Sequence, residues 1–269
     1  MQFLVANVTP FDARGKVDLG RLRAHILWLM AKGVEGFVPT SDAGEFLYLS
    51  DREREAVQRT VLDAARGLPV YPYIWDANPS TARYLADAAA AEGASGIFVP
   101  PPLHYDLEDE AITAWYRSVA EHSSLPVLAH HNPDRMLTQV RQSVYSRLRD
   151  DGVIGGMLDS SSDIYRLQRL CDSDPGAMYA SGDILLADAA QIRCLGGFVS
   201  TIGNLWPSFC RRVYQERQDE LRDALRDRVN ILRRAGGIRA IKAELSMGHR
   251  APLIAPPQAR MERVPARER

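Results

Sequence analysis

Short apolar runs alternate with longer amphipathic stretches through the first three quarters of the chain. Within each short run the apolar residues are nearly continuous, which is typical of parallel strands buried on both faces. Because a helical pattern follows each run, the order indicates parallel strands joined by right-handed crossovers. The pattern predicts strands at Phe3–Val8, Gly36–Pro39, Val70–Ile74, Gly96–Pro100, Val127–Ala129, Val153–Leu158, Met178–Ser181 and Phe198–Ser200.

The intervening stretches predict amphipathic helices, and some begin with capping residues. Ser50-Asp51-Arg52-Glu53 has the form of a capping box, while Asn78-Pro79-Ser80 and Asp106 are further start signals. Helices are predicted at Leu19–Ala31, Arg52–Ala65, Thr81–Ala91, Glu108–Glu121, Val140–Leu148, Asp163–Leu170 and Leu185–Leu195. After Ser200 the pattern is all-helical, at roughly Ser208–Glu216, Glu220–Arg234 and Ile238–Met247.

Eight strands are the number that closes a parallel barrel, so the predicted fold is α/β, a (β/α)₈ TIM barrel with a C-terminal helical extension. We expect the barrel in residues 1–204, helices packed on it in 205–250 and a loose basic, proline-rich tail in 251–269. The alternative is an open doubly wound sheet. That fold favours a glycine-rich phosphate turn after its first strand, and Val8-Thr9-Pro10-Phe11 is not one.

Composition narrows the class of protein. Of the 269 residues, 46% are hydrophobic and 25% are charged, which are ordinary globular values. The formal charge of -1 leaves no basic surplus for nucleic acid or an anionic membrane, and no apolar run is long enough to span a bilayer. Three widely spaced cysteines and an N-terminus without a basic leader favour reduced thiols in a cytoplasmic protein.

Several motifs occur in the same order as in a known family. The chain resembles the dihydrodipicolinate synthase/N-acetylneuraminate lyase family of barrel aldolases over almost its whole length. Ser41–Glu45 is similar to the family's Gly-Thr-Thr-Gly-Glu loop. His130–Arg135 is similar to its Tyr-Asn-x-Pro-x-Arg strand, and Gly156–Asp163 is similar to its Gly-Ile-Lys-Asp-Ser-Ser-Gly-Asp strand. The resemblance implies a lyase that acts on a small molecule and forms a homo-oligomer, a dimer or a tetramer.

The family's central chemical group is absent from its expected position. In the family a lysine on the sixth strand forms a Schiff base with a 2-keto acid, and the alignment puts Leu158 there. The chain has only three lysines, Lys16, Lys32 and Lys242, and we expect none of them at the catalytic end of a strand. A Schiff base to a protein lysine is therefore not expected.

Other family positions carry new side chains. The tyrosine that shuttles protons in the family becomes His130, and the two loop threonines become Asp42 and Ala43. An aspartate there would repel a keto-acid carboxylate unless it were protonated or paired. The glycine-rich end of the third strand becomes Ile74-Trp75-Asp76. Together these changes indicate a rebuilt pocket.

Barrel enzymes place their active sites at the C-terminal ends of the strands, which defines the candidate site residues. We expect His130 and Asp42 to be catalytic, with His130 moving protons because imidazole titrates near neutrality. The alternative for His130 is a neutral ring satisfied by a backbone carbonyl. His131, adjacent on the strand, should face the opposite way. The expected substrate contacts are Ser41, Trp75, Asp76, His104, Arg135, Leu158, Asp159, Asp183 and Ser200.

Three functions remain open at this stage. The first is a lyase that works by acid/base catalysis on a substrate already carrying an amine or an activated carbonyl. The second is a non-catalytic member of the family that binds a small molecule or a partner. The third is a metal-assisted lyase using Asp42, Asp76, His130 and Asp159, although no tight ligand spacing supports it. We expect no metal and no cofactor.

Overall fold

A curled parallel sheet surrounded by helices forms the body of the molecule. The computed structural model describes residues 1–76, 78–102 and 106–250. Seven strands are hydrogen-bonded in the order β2-β1-β7-β6-β5-β4-β3. Their bounds are β1 Gln2–Val5, β2 Gly36–Phe37, β3 Ile97–Val99, β4 Val127–His131, β5 Gly156–Asp159, β6 Met178–Ser181 and β7 Gly197–Ser200.

Residues 69–74 close the sheet between β2 and β3 without forming a regular strand. The Tyr71 amide donates to a carbonyl oxygen of β2 at 2.9 Å, and the Ile74 amide donates to one of β3 at 2.8 Å. Pro72 lies between them and has no amide hydrogen, so the ladder is interrupted there. This segment takes the eighth place in the ring, where the sequence predicts a strand, and the barrel is closed.

Helices follow the strands in the predicted order. α1 and α2 begin at Leu19 and Asp51, and the capping box of Ser50 and Glu53 is formed as expected. The expected cap at Asp106 is not formed, since α4 begins after Glu108 with no side-chain cap. The helices are α1 Leu19–Ala31, α2 Asp51–Ala65, α3 Pro79–Ala91, α4 Asp109–Ala120, α5 Gln142–Asp150, α6 Ile164–Ser173, α7 Asp183–Ala189, α8 Pro207–Glu216, α9 Asp219–Arg234 and α10 Ile238–Glu244.

Alternate strand residues face two different apolar clusters, as the pleat of a strand requires. One cluster fills the barrel interior and includes Leu4, Phe98, Leu128 and Leu158. Their chain neighbours, such as Met157, face the larger cluster between the strands and the helices. Each strand therefore has a defined inward face, and the inward residues at its C-terminal end reach the barrel mouth.

Three helices, α8, α9 and α10, lie in the segment 205–250. α8 packs against β1 and the loop before β2, with the Tyr214 ring 5.6 Å from that of Phe3 and the Tyr214 hydroxyl donating to Glu35 at 3.2 Å. It is therefore the helix of the eighth βα unit. The extension proper is α9 and α10, which cross the C-terminal mouth of the barrel.

The cysteines correct one expectation. Cys171 in α6 and Cys194, which precedes β7, form a disulfide with Cα atoms 5.6 Å apart, whereas the number and spacing of the cysteines predict reduced thiols. Cys210 in α8 is free and buried. The odd count and wide spacing carry no information about which cysteines the fold brings together. Among the described residues, no helix has the length and apolarity to cross a membrane.

Candidate active site

A cavity of about 800 Å³ lies between the C-terminal ends of the strands and the crossing helices. Its floor and sides come from residues at or after the ends of β2, β4, β5, β6 and β7, and its outer wall from α9 and α10. The lining includes Asp42, Asn132, Arg135, Ser160, Asp183 and Thr201 on the barrel side and Val229, Leu232, Arg233, Arg239, Ile241 and Lys242 on the helical side. The position matches that of active sites in barrel enzymes.

Ser160, His130 and Tyr73 form a continuous hydrogen-bonded chain from the cavity into the barrel. Ser160 lines the cavity, and its Oγ lies 2.9 Å from His130 Nε2. His130 Nδ1 lies 2.9 Å from the Tyr73 hydroxyl oxygen, and the two rings meet edge to face. The His130 residue is only 4% exposed, so Ser160 connects it to the cavity.

Burial keeps this chain of groups electrically neutral. Loss of hydration, followed by the charge of neighbouring His131, lowers the pKa of His130 to about 3. Burial, followed by the negative charge of Asp42, raises the pKa of Tyr73 well above its ordinary value. A neutral imidazole donates from one nitrogen and accepts at the other. Protons can therefore shift along the chain by a change of His130 tautomer, with no net charge formed.

Leu158, which the sequence resemblance aligns with the lysine of the family, has apolar surroundings. It pairs in register with His130 on the neighbouring strand, is 3% exposed and belongs to the interior cluster. Phe46, Tyr73 and Trp75 fill the adjoining space, with the Phe46 ring 5.5 Å from each of the other two. The inner part of the mouth is thus filled by aromatic side chains, and the cavity lies outside it.

Asp42 is the acidic group best placed for contact with a ligand. It begins a short 3-10 turn, Asp42–Gly44, which ends at Glu45 in the left-handed region with φ 58°. Its Oδ2 lies 3.8 Å from Arg135 Nε, and both side chains border the cavity. Burial raises the pKa of Asp42, and the nearby Arg135 partly opposes that shift. No direct hydrogen bond joins Asp42 to His130 in the part of the chain that the structure describes.

Asp183 and Ser200 belong together beside the cavity. The Ser200 hydroxyl donates to Asp183 at 2.8 Å, and the Thr201 and Ile202 amides donate to the same carboxylate at 3.1 and 3.0 Å. Burial raises the pKa of Asp183 to about 6 although these donors oppose the shift. Its bonds fix the turn after β7. Ser41, also expected to contact a ligand, is buried, and its hydroxyl has no hydrogen-bond partner among the described residues.

The structure places Lys242 at the cavity, a position that the sequence does not predict for any lysine. Because α10 crosses the mouth of the barrel, it packs against the loop after β2, and Lys242 forms an ion pair with Glu45 of that loop. Its Nζ also lies 4.5 Å from the centre of the Phe11 ring. Burial lowers the pKa of Lys242, while Glu45 opposes the shift. The Lys242 side chain has no exposed area, and its ammonium group serves as the partner of a buried carboxylate.

Asp159 and Asp76, two of the expected substrate contacts, are not among the residues that line the cavity. Asp159 follows Leu158, so it faces the helices, where it is fully buried and forms an ion pair with Arg166 at 3.0 Å. Asp76 lies 3.6 Å from Arg54 of α2. Trp75 packs within the interior cluster and does not line the cavity. His104 lies outside the described residues.

Three residues at the site were not predicted from the sequence: Tyr73, Ser160 and Asn132. Tyr73 lies 57 residues from His130 along the chain, so only the closed barrel brings them together. Ser160 lies two positions after the inward-facing Leu158, and Asn132 lies two positions after the inward-facing His130. Because alternate strand residues share a face, this spacing could have identified both as site residues. Within residues 1–76, 78–102 and 106–250, no three His, Cys, Asp or Glu side chains converge as a metal site requires.

Comparisons with known proteins give a consistent result. The family model described as the dihydrodipicolinate synthetase family matches residues 1–247. An uncharacterized DapA-like lyase from Halobacterium salinarum is 31% identical over 225 residues, covering 82% of this chain and 73% of the relative. A 4-hydroxy-tetrahydrodipicolinate synthase from Corynebacterium diphtheriae is 28% identical over 278 residues, covering 96% of this chain and 90% of the relative.

Solved structures show the same architecture. A putative dihydrodipicolinate synthetase from Pseudomonas aeruginosa superposes with a TM-score of 0.86 at 26% identity, covering 95% of this chain and 94% of that one. CdNal from Clostridium difficile, solved in complex with mannosamine, superposes with a TM-score of 0.89 at 18% identity, covering 95% and 93%. The second likeness supports the fold alone.

Proposed function

The chain belongs to the dihydrodipicolinate synthetase family, and we propose that it is a lyase-type enzyme that works without a Schiff base to a protein lysine. The observation that carries the proposal is the pairing of Leu158 with His130 across neighbouring strands. An apolar side chain stands where a nucleophilic amine is expected, and a histidine beside it is hydrogen-bonded to a serine at the cavity. The chemistry must then rest on proton transfer.

Asp42 is the proposed general base or acid at the cavity. It borders the cavity, and its raised pKa brings proton exchange closer to neutral pH than for an ordinary aspartate. His130 acts through Ser160, whose hydroxyl can donate to or accept from a substrate oxygen while the imidazole changes tautomer. Arg135, exposed at the rim beside Asp42, would hold a negative group of the substrate.

The absence of a Schiff base restricts the substrates that fit this proposal. Cleavage or dehydration beside a carbonyl leaves negative charge that an iminium would otherwise absorb. Ordinary proton transfer contributes about 10²–10⁴-fold, so the substrate must itself carry an amine or an activated carbonyl. Ser160 and Asn132 provide polar contacts at the floor of the cavity for such a group.

Deuterium exchange tests this proposal without knowledge of the natural reaction. A panel of small 2-keto acids, aldehydes and amino-carbonyl compounds is incubated with the protein in D₂O, and loss of the carbon-bound hydrogen beside the carbonyl is followed by NMR. We expect exchange on at least one compound, with a loss of about 10²-fold in Asp42→Asn. Asp76→Asn, which alters an aspartate paired away from the cavity, is the matched control and should retain exchange. Equal exchange in wild type and Asp42→Asn would contradict the assignment.

A non-catalytic binding function is the second candidate, and one observation favours it. Aromatic side chains fill the inner mouth, and His130 is almost inaccessible. If no compound exchanges hydrogen but several raise the melting temperature, the cavity binds a ligand without converting it.

Assembly and location also belong to this proposal. We propose that the protein forms a homo-oligomer, a dimer or a tetramer, and acts in the cytoplasm on a small molecule, with no nucleic-acid or membrane partner. The Cys171–Cys194 disulfide weighs against the cytoplasm, since disulfides are rare in a reducing compartment. Fractionation of the source cells tests the location.

A further inference from the structure

The helical wall of the cavity carries two arginines that the proposed chemistry does not use. Arg233 lies in the last turn of α9 and Arg239 in the first turn of α10, and both line the cavity. The Gly236-Gly237 turn joins the two helices. The Arg239 side chain folds over that turn, with its Cδ 3.6 Å from where a Cβ on Gly236 would lie. The turn therefore brings the two arginines to one side of the cavity.

Neither arginine has a partner within the described part of the chain, unlike other arginines of the same helix. Arg222 pairs with Asp219, and Arg226 pairs with Asp188 and with Asp223. No hydrogen bond or ion pair engages the guanidinium group of Arg233 or Arg239 among residues 1–76, 78–102 and 106–250. A guanidinium group has five donors and does not lose its charge in proteins, so both groups can receive an anion.

The remaining charges of the cavity are largely balanced by one another. Glu45 pairs with Lys242, and Asp42 lies against Arg135. Asp183 accepts three hydrogen bonds and has a pKa raised to about 6. The charged lining residues that remain are the two arginines of the helical wall and the exposed Asp134. The two guanidinium groups are therefore the positive groups of the lining that no carboxylate among the described residues engages.

We propose that Arg233 and Arg239 bind an oxyanion group, a phosphate or a carboxylate, at the end of the substrate remote from the reacting carbon. Guanidinium groups match the paired oxygens of such groups with parallel hydrogen bonds. A cavity of about 800 Å³ lies in the upper part of the range for ligand sites and is much larger than a three-carbon acid requires. The proposal deepens the proposed function by naming a substrate class: an extended carbonyl compound with an anionic terminus.

Calorimetry with simple probes tests the site apart from catalysis. Glycerol 3-phosphate, succinate and glycerol are titrated into the full chain at low ionic strength, since salt weakens exposed charge interactions. We expect glycerol 3-phosphate or succinate to bind and glycerol not to bind. Tighter binding of the first identifies a phosphate ester, and tighter binding of the second identifies a dicarboxylate.

Variants assign the binding to the two arginines. The double variant Arg233→Gln/Arg239→Gln should weaken binding of the anionic probe about tenfold or more, because charge-assisted hydrogen bonds are lost. Arg234→Gln is the matched control, since it removes one charge from the next position of α9, outside the cavity lining. It should change the affinity by less than about twofold. Circular dichroism checks that each variant is folded.

Two results would overturn the proposal. One is equal, weak binding of all three probes, and the other is unchanged affinity in the folded double variant. The hydrogen exchange assigned to Asp42 is measured separately and does not depend on either result. Failure of the proposed anion site can therefore be distinguished from failure of the proposed function.

Discussion

At the residue scale, the substitution of a histidine for the family's tyrosine has consequences that depend on its partners. The alternation of side chains along a strand predicts that His130 faces inward and His131 outward, and the structure agrees. The same reasoning could not identify Tyr73 as its partner, because Tyr73 lies on an irregular segment far away in the chain. The resulting neutral chain of groups, Ser160, His130 and Tyr73, does not include Asp42, the other residue expected to be catalytic.

Buried histidines predict a loss of stability in mild acid. His131 has its pKa lowered to about 4 by burial, with the positive charge of Arg166 adding to the effect. Between about pH 6.5 and pH 4 the unfolded chain binds a proton there that the folded chain does not. The free energy of unfolding should therefore fall with decreasing pH, by up to about 1.4 kcal/mol per pH unit for this residue.

Urea unfolding at pH 8, 7, 6 and 5 measures this slope in the wild type and in His131→Gln. The variant should have the shallower slope. Between pH 7 and 8, where both states hold this imidazole neutral, the two curves should be parallel. An identical slope in both proteins from pH 6 to 5 would contradict the assignment.

The Ser160–His130 hydrogen bond predicts non-additive effects on activity. His130→Asn should reduce turnover of an identified substrate at least about 10²-fold with little loss of folding. If His130 acts through Ser160, then Ser160→Ala should cause a similar loss and the double variant little more, because both remove one pathway. Ser162→Ala, a serine of the same cavity, is the control. Full activity in His130→Asn would end the case for this histidine.

At the scale of elements, helix starts with side-chain caps could be predicted closely, and irregular elements could not. α1 begins and ends as the pattern predicts, with Asp18 accepting from the Arg21 amide at 2.9 Å. The role of α8 could not be predicted from its own pattern, because any amphipathic helix after the last strand can pack on the barrel or beside it. The contacts of Tyr214 with Phe3 and Glu35 show that α8 is the helix of the eighth βα unit.

The Glu45–Lys242 ion pair holds α10 against the loop after β2, and it predicts an asymmetric response to substitution. Lys242→Met should lower the free energy of unfolding by about 3–5 kcal/mol, because it leaves a buried carboxylate without the ammonium group that balances its charge. The double change Glu45→Gln/Lys242→Met should recover much of that loss. Arg212→Met, which breaks an exposed pair with Glu216, should change it by less than about 1 kcal/mol. Denaturant unfolding measures all three, and equal losses in the single and double variants would be evidence against a buried pair.

For the whole molecule, the order of strands and helices was sufficient to predict the barrel, because parallel strands with right-handed crossovers leave few closed arrangements. The cavity was less predictable. Its inner wall follows from strand ends, but its outer wall depends on how α9 and α10 cross the mouth, which places Lys242, Arg233 and Arg239 there. Local periodicity carries no information about that crossing.

Assembly can be tested on the whole molecule. Leu137 and Tyr165 are 63% and 77% exposed, which leaves apolar surface that an interface between copies would cover. Light scattering at micromolar concentration should give the mass of a dimer or a tetramer. The mass of a single 30.0 kDa chain would contradict the proposed homo-oligomer.

Reductive trapping tests the central claim, that the enzyme works without a protein Schiff base. The protein is incubated with pyruvate and borohydride and its mass is measured, beside a 4-hydroxy-tetrahydrodipicolinate synthase and the variant Leu158→Lys. We predict an adduct in the synthase and in Leu158→Lys, and an unchanged mass in the wild type, because Leu158 has no amine and Lys242 is buried against Glu45. A reduced pyruvyl adduct on the wild-type chain, mapped to Lys242 or another lysine, would contradict the account.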